Sequence, residues 1–184
     1  ALWPKEAQDE VWNDSRDTRL TGTLIFPAGR VKQVNGGWRL SGRWPFGSGI
    51  DHAGWNFFAA TEEDGTLSMF LVPKSDYTII DTWRAAGLRG TGSKDVEVDN
   101  KFVPDHRRLR ALDTRDGNAP GNAVNTATVY KLPLFSMFFT WVGAAVLGTA
   151  EGAVAAYVTA TKNRLANYSG QRVADYGTVQ VNLA

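Results

Sequence analysis

The sequence predicts an α+β protein in which a β-rich part comes first and a helical part follows. Up to about residue 128, short alternating segments of apolar and polar residues are separated by turn residues, which is typical of strands. Residues 133–164 then form an alanine-rich apolar stretch with the length of one long helix. Strands followed by helices indicate an α+β arrangement. We therefore expect two domains, residues 1–128 and 129–184, and we expect both ends to lie inside a longer chain.

Seven segments of the first part are expected to be strands. Asn35-Gly36 predicts a type I′ hairpin, because both central residues of that turn need positive φ, and Glu62-Glu63-Asp64-Gly65 predicts a longer hairpin. Short strands joined by such turns suggest a barrel or a sandwich. The predicted strands are residues 21–26, 30–34, 38–44, 55–60, 67–72, 77–83 and 95–102.

The apolar stretch of the second part has nearly the length of a membrane-spanning helix. Residues 132–150 carry no charge, but Pro133, Gly143 and Gly148 interrupt them, and Glu151 lies in the continuing helical pattern. A helix that is apolar on all sides is equally a sign of burial within a bundle. We expect a buried helix rather than a membrane span, and residues 175–184 are expected to begin another helix.

Composition excludes several kinds of chemistry. The 184 residues carry 20 Lys+Arg and 19 Asp+Glu, and this near-balance gives no electrostatic case for nucleic acid or an anionic membrane as the partner. Because there are no cysteines, thiol nucleophiles, disulfides and thiolate metal sites are excluded. With His52 and His106 as the only histidines, a histidine-based zinc site would lack ligands, so we expect no metal. No targeting segment is recognisable, and we expect a cytoplasmic protein.

A glycine motif at residues 87–92, GLRGTG, is similar to a dinucleotide-binding loop. Such a loop needs a strand before it and the N-terminus of a helix after it, whereas residues 95–99 alternate like a strand. We therefore interpret the motif as a glycine-shaped connection to a strand.

The loop Phe46-Gly47-Ser48-Gly49 is the best candidate for contact with a ligand. Glycines on both sides of Ser48 allow a flat ring to approach the backbone, and its hydroxyl can donate or accept a hydrogen bond. Trp44 and Phe46 offer aromatic faces for stacking. From the residues alone, ligand contact and a plain turn are equally good explanations.

Three segments together resemble the oxygenase component of two-component flavin-dependent monooxygenases, such as para-hydroxyphenylacetate hydroxylase. They are residues 36–55, residues 87–96 and Phe102-Val103-Pro104. The later pattern Arg164…Tyr168-Ser169-Gly170-Gln171…Val179-Gln180 is similar to a helix connection of the same superfamily. The resemblance covers essentially the whole chain. It implies the acyl-CoA dehydrogenase fold, with a central β-barrel domain followed by the first helices of a C-terminal bundle.

The resemblance also implies site residues. Ser48 falls where the superfamily places a hydroxyl at flavin N5, which makes it the expected catalytic residue. The expected flavin-binding residues are Phe46, Gly47, Ser48, Gly49, Arg164 and Gln171, with Arg164 at the flavin phosphates. The expected substrate-binding residues are Thr23, Ile25, Phe138 and Phe139. For the two phenylalanines, simple core packing is an equally good explanation.

The activity that this resemblance implies is hydroxylation of an aromatic, phenolic substrate by O₂ through a flavin C4a-hydroperoxide. A separate reductase would supply the reduced flavin, FMNH₂ or FADH₂, and the protein would be a homotetramer. Residues 5–12 lack the glycines of the dehydrogenase flavin loop, which favours a hydroxylase. The alternatives are an acyl-CoA dehydrogenase with oxidised FAD and a non-catalytic assembly module.

Overall fold

An eight-stranded mixed sheet forms the first part of the chain in a computed structural model that describes residues 1–183. It belongs to a compact unit that spans Ala1–Leu134, and a second unit begins at Phe135. The elements of the first unit are α1 Lys5–Trp12, β1 Leu20–Thr23, β2 Gly29–Val34, β3 Gly37–Gly47, β4 Trp55–Thr61, β5 Leu67–Pro73, β6 Thr78–Ile80, β7 Lys94–Pro104 and β8 Arg108–Arg110. The sheet has the order β6-β7-β3-β2-β4-β5-β8, and β1 pairs in parallel with β4.

Both predicted hairpins are confirmed, since β2 pairs antiparallel with β3 and β4 pairs antiparallel with β5. The predicted type I′ turn is wrong. Gly36 has positive φ, but Asn35, the other central residue of the turn, does not. Two predicted strands are shorter than expected. The strand that begins at Leu20 ends at Thr23, before a 3-10 turn at Phe26–Ala28 that contains Pro27, and β6 ends at Ile80.

Two apolar cores lie against the sheet. Alternation along β4 and β5 separates them, since Phe58 and Phe70 belong to one core and Ala59 and Met69 to the other. The first core is built around Trp38, Leu40, Trp44, Ile50, Val96 and Val98. The second is covered by α1, whose Ala7 and Val11 are buried, as are Trp3 and Leu109. The first core supports the candidate site described below.

The second unit contains α2, Leu134–Thr161, except for its first residue, and α3, Gly177–Leu183. Both predicted helices are therefore confirmed with slightly different bounds, and Ala184, the predicted last residue of the second, lies outside the described residues. By length and composition α2 could cross a membrane, a test that core helices of soluble proteins also pass. The predicted burial of α2 is not confirmed within the described residues, because Phe139, Trp141, Val146 and Leu147 are all more than half exposed. Leu134 at its N-terminal end packs against the second core, and Thr161 at its C-terminal end is buried.

Candidate active site

A β-bulge near the end of β3 shapes the candidate site. Trp44 is paired with Val96 and Gly47 with Lys94, so β3 has one residue more than β7 between these two pairs. Such a bulge bends its strand and re-aims side chains. Within it, Phe46 has φ +63° and its side chain is 63% exposed. The left-handed backbone costs a residue other than glycine about 1–2 kcal/mol. A strained backbone at a residue whose aromatic ring is exposed motivates a hypothesis of function.

The ring of Phe46 stands at one side of a surface depression of about 260 Å³. The half-buried Trp83 lies edge-on to it, with the ring centroids 6.5 Å apart. The two aromatic groups therefore present apolar surface to an open space. The other lining residues are Pro45, Thr82, Arg84, Ala85, Ser93 and Asp95.

Ser48 is exposed close to Phe46, and its hydroxyl is hydrogen-bonded to another hydroxyl of the protein. Its Oγ lies 2.8 Å from Ser93 Oγ, which in turn lies 2.6 Å from Thr91 Oγ1. The backbone N–H of Gly49 also donates to the carbonyl of Thr91, at 2.8 Å. These bonds fix the loop of residues 46–49 against the connection that enters β7. That connection, a 3-10 turn at Arg89–Thr91, confirms the prediction for the glycine motif.

The two glycines that flank Ser48 are required by the protein's own backbone. A Cβ at Gly47 would lie 2.8 Å from Val96 Cγ2 and 3.0 Å from the carbonyl of Lys94, so the sheet excludes a side chain there. Gly49 has φ +74°, which favours glycine. Their expected contact with a flavin stays a prediction.

Turn contacts hold the segment after Ser48. Asp51 accepts a hydrogen bond from Lys94 Nζ at 3.0 Å, and the neighbouring His52 is exposed. Tyr77 donates to the carbonyl of Ala53 at 3.4 Å, and burial raises the pKa of Tyr77 to about 12. This segment is therefore scaffold for the loop that carries Ser48.

Thr23 and Ile25, expected at the substrate pocket, lie in the interior of the first unit. Thr23 is 2% exposed, and its hydroxyl donates to the carbonyl of Phe57 at 3.3 Å. Ile25 is partly buried against the first core. Their contact with a substrate stays a prediction.

The other four predicted residues lie in the second unit. Arg164 and Gln171 stand on the two arms of one loop, where the carbonyl of Arg164 accepts from Val173 N–H and that of Gln171 from Ala166 N–H, both at 2.9 Å. Both side chains are exposed. Phe138 and Phe139 are exposed on α2, with their ring centroids 5.7 Å apart.

Sequence reasoning missed Trp83, Ser93 and Thr91 as site residues. The sequence predicts Trp83 at the end of a strand, and the other two belong to the segment interpreted as a glycine-shaped connection. The signal that could have found Ser93 and Thr91 is the pairing of β3 with β7, which brings residues about 45 positions apart into contact.

Residues 140–184 match the family model described as acyl-CoA dehydrogenase, C-terminal domain. Over its full length, the chain is 39% identical to HsaA, the oxygenase subunit of a flavin-dependent monooxygenase from Mycobacterium tuberculosis, and it spans 48% of that protein. It is 34% identical to the oxygenase component of an FADH₂-dependent resorcinol hydroxylase from a Rhizobium species, covering 100% of this chain and 47% of that protein. The chain is homologous to these oxygenase components.

This homology extends to the backbone. The crystal structure of HsaA matches 99% of the chain with a TM-score of 0.86 and 37% identity, over 47% of the HsaA chain. An acyl-CoA dehydrogenase from Geobacillus kaustophilus matches 98% of the chain, over 49% of its own, with a TM-score of 0.72 and 17% identity, a likeness of fold alone. The predicted acyl-CoA dehydrogenase-like fold is thus confirmed. The chain spans about half the length of the curated oxygenase components that it matches.

Proposed function

We propose that the whole protein is the oxygenase component of a two-component flavin-dependent monooxygenase that hydroxylates an aromatic, phenolic substrate. The observation that carries the proposal is the exposed ring of Phe46, held in a strained backbone beside the exposed residue Ser48. The homology supports the reaction class, since one relative is named for resorcinol, a phenol, and for FADH₂.

The residues at the depression fit a flavin. Phe46 and Trp83 offer apolar ring surface in its lining, and the exposed Ser48 follows Phe46 two positions along the chain. A flavin would lie against Phe46 and the backbone of Gly47 and Gly49, with Ser48 at N5. When bound, the reduced flavin would supply the oxygen chemistry, through its C4a-hydroperoxide, which amino-acid side chains do not provide. The chain's own residues would bind and orient the ring.

The proposal extends to the parts of the protein that complete the site. Arg164 and Gln171 would bind the flavin, Arg164 at its phosphates, and Thr23, Ile25, Phe138 and Phe139 would border the substrate. We also propose a central β-barrel domain for residues 1–128, a helical bundle that begins with residues 129–184, a cytoplasmic homotetramer and a separate flavin reductase.

Flavin binding tests the proposal directly. In an anaerobic titration of the whole protein with FMNH₂ or FADH₂, we expect saturable binding of at least one of them. Phe46→Ala should weaken that binding about two- to tenfold, the range that one aromatic contact provides.

Phe102→Ala is the matched control. Phe102 is also an exposed phenylalanine, at 41%, but it lies under Arg39 and outside the depression, so affinity should not change. If neither reduced flavin bound, the proposal would be wrong and a non-catalytic module would be favoured.

A further inference from the structure

Three hydroxyl groups form a chain of hydrogen bonds that leads from the exposed Ser48 into the protein. Ser48 Oγ lies 2.8 Å from Ser93 Oγ, and Ser93 Oγ lies 2.6 Å from Thr91 Oγ1. Ser93 is 6% exposed, which shields the middle of the chain from solvent. Which hydroxyl donates in each of these two hydrogen bonds therefore depends on the group that Thr91 contacts at the inner end.

The far end of the chain is the carbonyl oxygen of Leu88. It accepts a hydrogen bond from Thr91 Oγ1 at 2.9 Å, from the backbone N–H of Thr91 at 3.1 Å and from Trp83 Nε1 at 3.3 Å. Leu88 has φ +53°, a conformation that is costly for leucine. Because a carbonyl only accepts, the single hydroxyl proton of Thr91 is committed to Leu88.

The direction of every bond follows from this end. Each serine or threonine hydroxyl has one proton to donate and two lone pairs that accept. With its proton on Leu88, Thr91 accepts from Ser93, and Ser93 in turn accepts from Ser48. The proton of Ser48 thus points inward, and the capacity that remains on its outer side is that of an acceptor.

We propose that Thr91 and Ser93 are positioning residues that hold Ser48 as a hydrogen-bond acceptor, and that this selects reduced over oxidised flavin. The inference rests on the proposed function. Reduced flavin carries a proton on N5 and donates to such an acceptor, whereas N5 of oxidised flavin is itself an acceptor. A pair of acceptors leaves a polar atom unsatisfied, which is costly away from water.

The test compares the dissociation constants of the oxidised and reduced forms of one flavin in the whole protein. Wild-type protein should bind the reduced form more tightly. Thr91→Val removes the hydroxyl that receives the proton of Ser93, so Ser93 can turn its proton toward Ser48 and free the Ser48 proton for the ligand. The dissociation constant of the oxidised flavin divided by that of the reduced flavin should then fall about two- to tenfold, the range of one net hydrogen bond.

Two matched variants separate this effect from a structural one. Thr91→Ser restores the hydroxyl and should restore the wild-type ratio. Thr114→Val removes a hydroxyl from a like 3-10 turn, where Thr114 Oγ1 donates to the carbonyl three residues earlier at 2.7 Å, and should leave the ratio unchanged. If Thr91→Val does not fold, Ser93→Ala tests the same chain and should lower the ratio equally.

The outcomes distinguish the inference from the proposed function. A wild-type protein that binds neither form contradicts the proposed function itself. If the wild type prefers reduced flavin but folded Thr91→Val and Ser93→Ala keep the full preference, flavin binding stands and the positioning role is wrong. A wild type that binds both forms equally also overturns the inference.

Discussion

Trp44→Ala is expected to lower the free energy of unfolding by about 3–5 kcal/mol, the range for truncation of a buried aromatic residue. Trp44 is fully buried in the first core, and its ring centroid lies 4.7 Å from that of Phe58. Space for the indole depends on Gly29 and Gly42, where a Cβ would lie 2.6 Å and 2.8 Å from its ring atoms. Denaturant unfolding followed by far-UV circular dichroism would measure the loss.

The indole N–H of Trp44 has a second role in the sheet. It donates to the carbonyl of Ala59 at 2.7 Å, at a point of β4 where pairing with β1 has ended at Phe58 and pairing with β2 has not yet begun at Thr61. Trp44→Phe keeps a ring but leaves that carbonyl unpaired, which should cost about 1–3 kcal/mol on top of the lost ring contacts.

Trp38→Phe is the control for this hydrogen bond. Trp38 is also buried and packs on a phenylalanine, Phe70, but in the described chain its Nε1 has no hydrogen-bond partner. The same substitution there removes an unsatisfied donor, so the loss should be clearly smaller. Equal losses for the two variants would contradict the role assigned to the Trp44 N–H.

Arg108→Ala is expected to lower the free energy of unfolding by about 3–5 kcal/mol, because it leaves a buried carboxylate without its partner. Arg108 Nε and Nη2 donate to the two oxygens of Glu62 at 2.7 Å and 2.8 Å, and Glu62 is 8% exposed. The guanidinium also stacks on Trp38, 4.9 Å from its ring centroid.

Arg110→Ala on the same strand is the matched control. Arg110 also bonds both oxygens of a carboxylate, that of Asp113 at 2.9 Å and 2.7 Å, but its side chain is 51% exposed. An ion pair at the surface contributes about 0–1 kcal/mol, so the loss should be small. Thermal unfolding of the two variants at equal salt compares them, and similar losses would show that burial of Glu62 does not decide the effect.

Local chemistry made most of the sheet predictable. Glycines at turn positions marked both hairpins, and alternation marked the strands between them. The helix α1 and the strand β8 were missed because they are short. Tertiary contacts stabilise them, such as the packing of Ala7 and Val11 of α1 in the second core. Helix propensity is weak in so short a segment, and packing decides it.

The candidate site was predictable only in part. The residues around Ser48 identified the loop, because glycine, hydroxyl and aromatic residues occur together there. The left-handed backbone of Phe46 could not be predicted, since it results from the register of β3 against β7. The hydroxyls of Ser93 and Thr91 depend on the same long-range pairing.

Hydroxylation of a phenol by the whole protein under ¹⁸O₂ is the most direct test of the proposed function. The protein is mixed with reduced flavin, labelled oxygen and each of a panel of phenols that includes resorcinol. The masses of the products are measured by mass spectrometry. A monooxygenase is expected to place one labelled oxygen atom in the product as a new hydroxyl group. Phenols that all remain unchanged, together with direct reduction of bound flavin by an acyl-CoA, would contradict that function and identify a dehydrogenase.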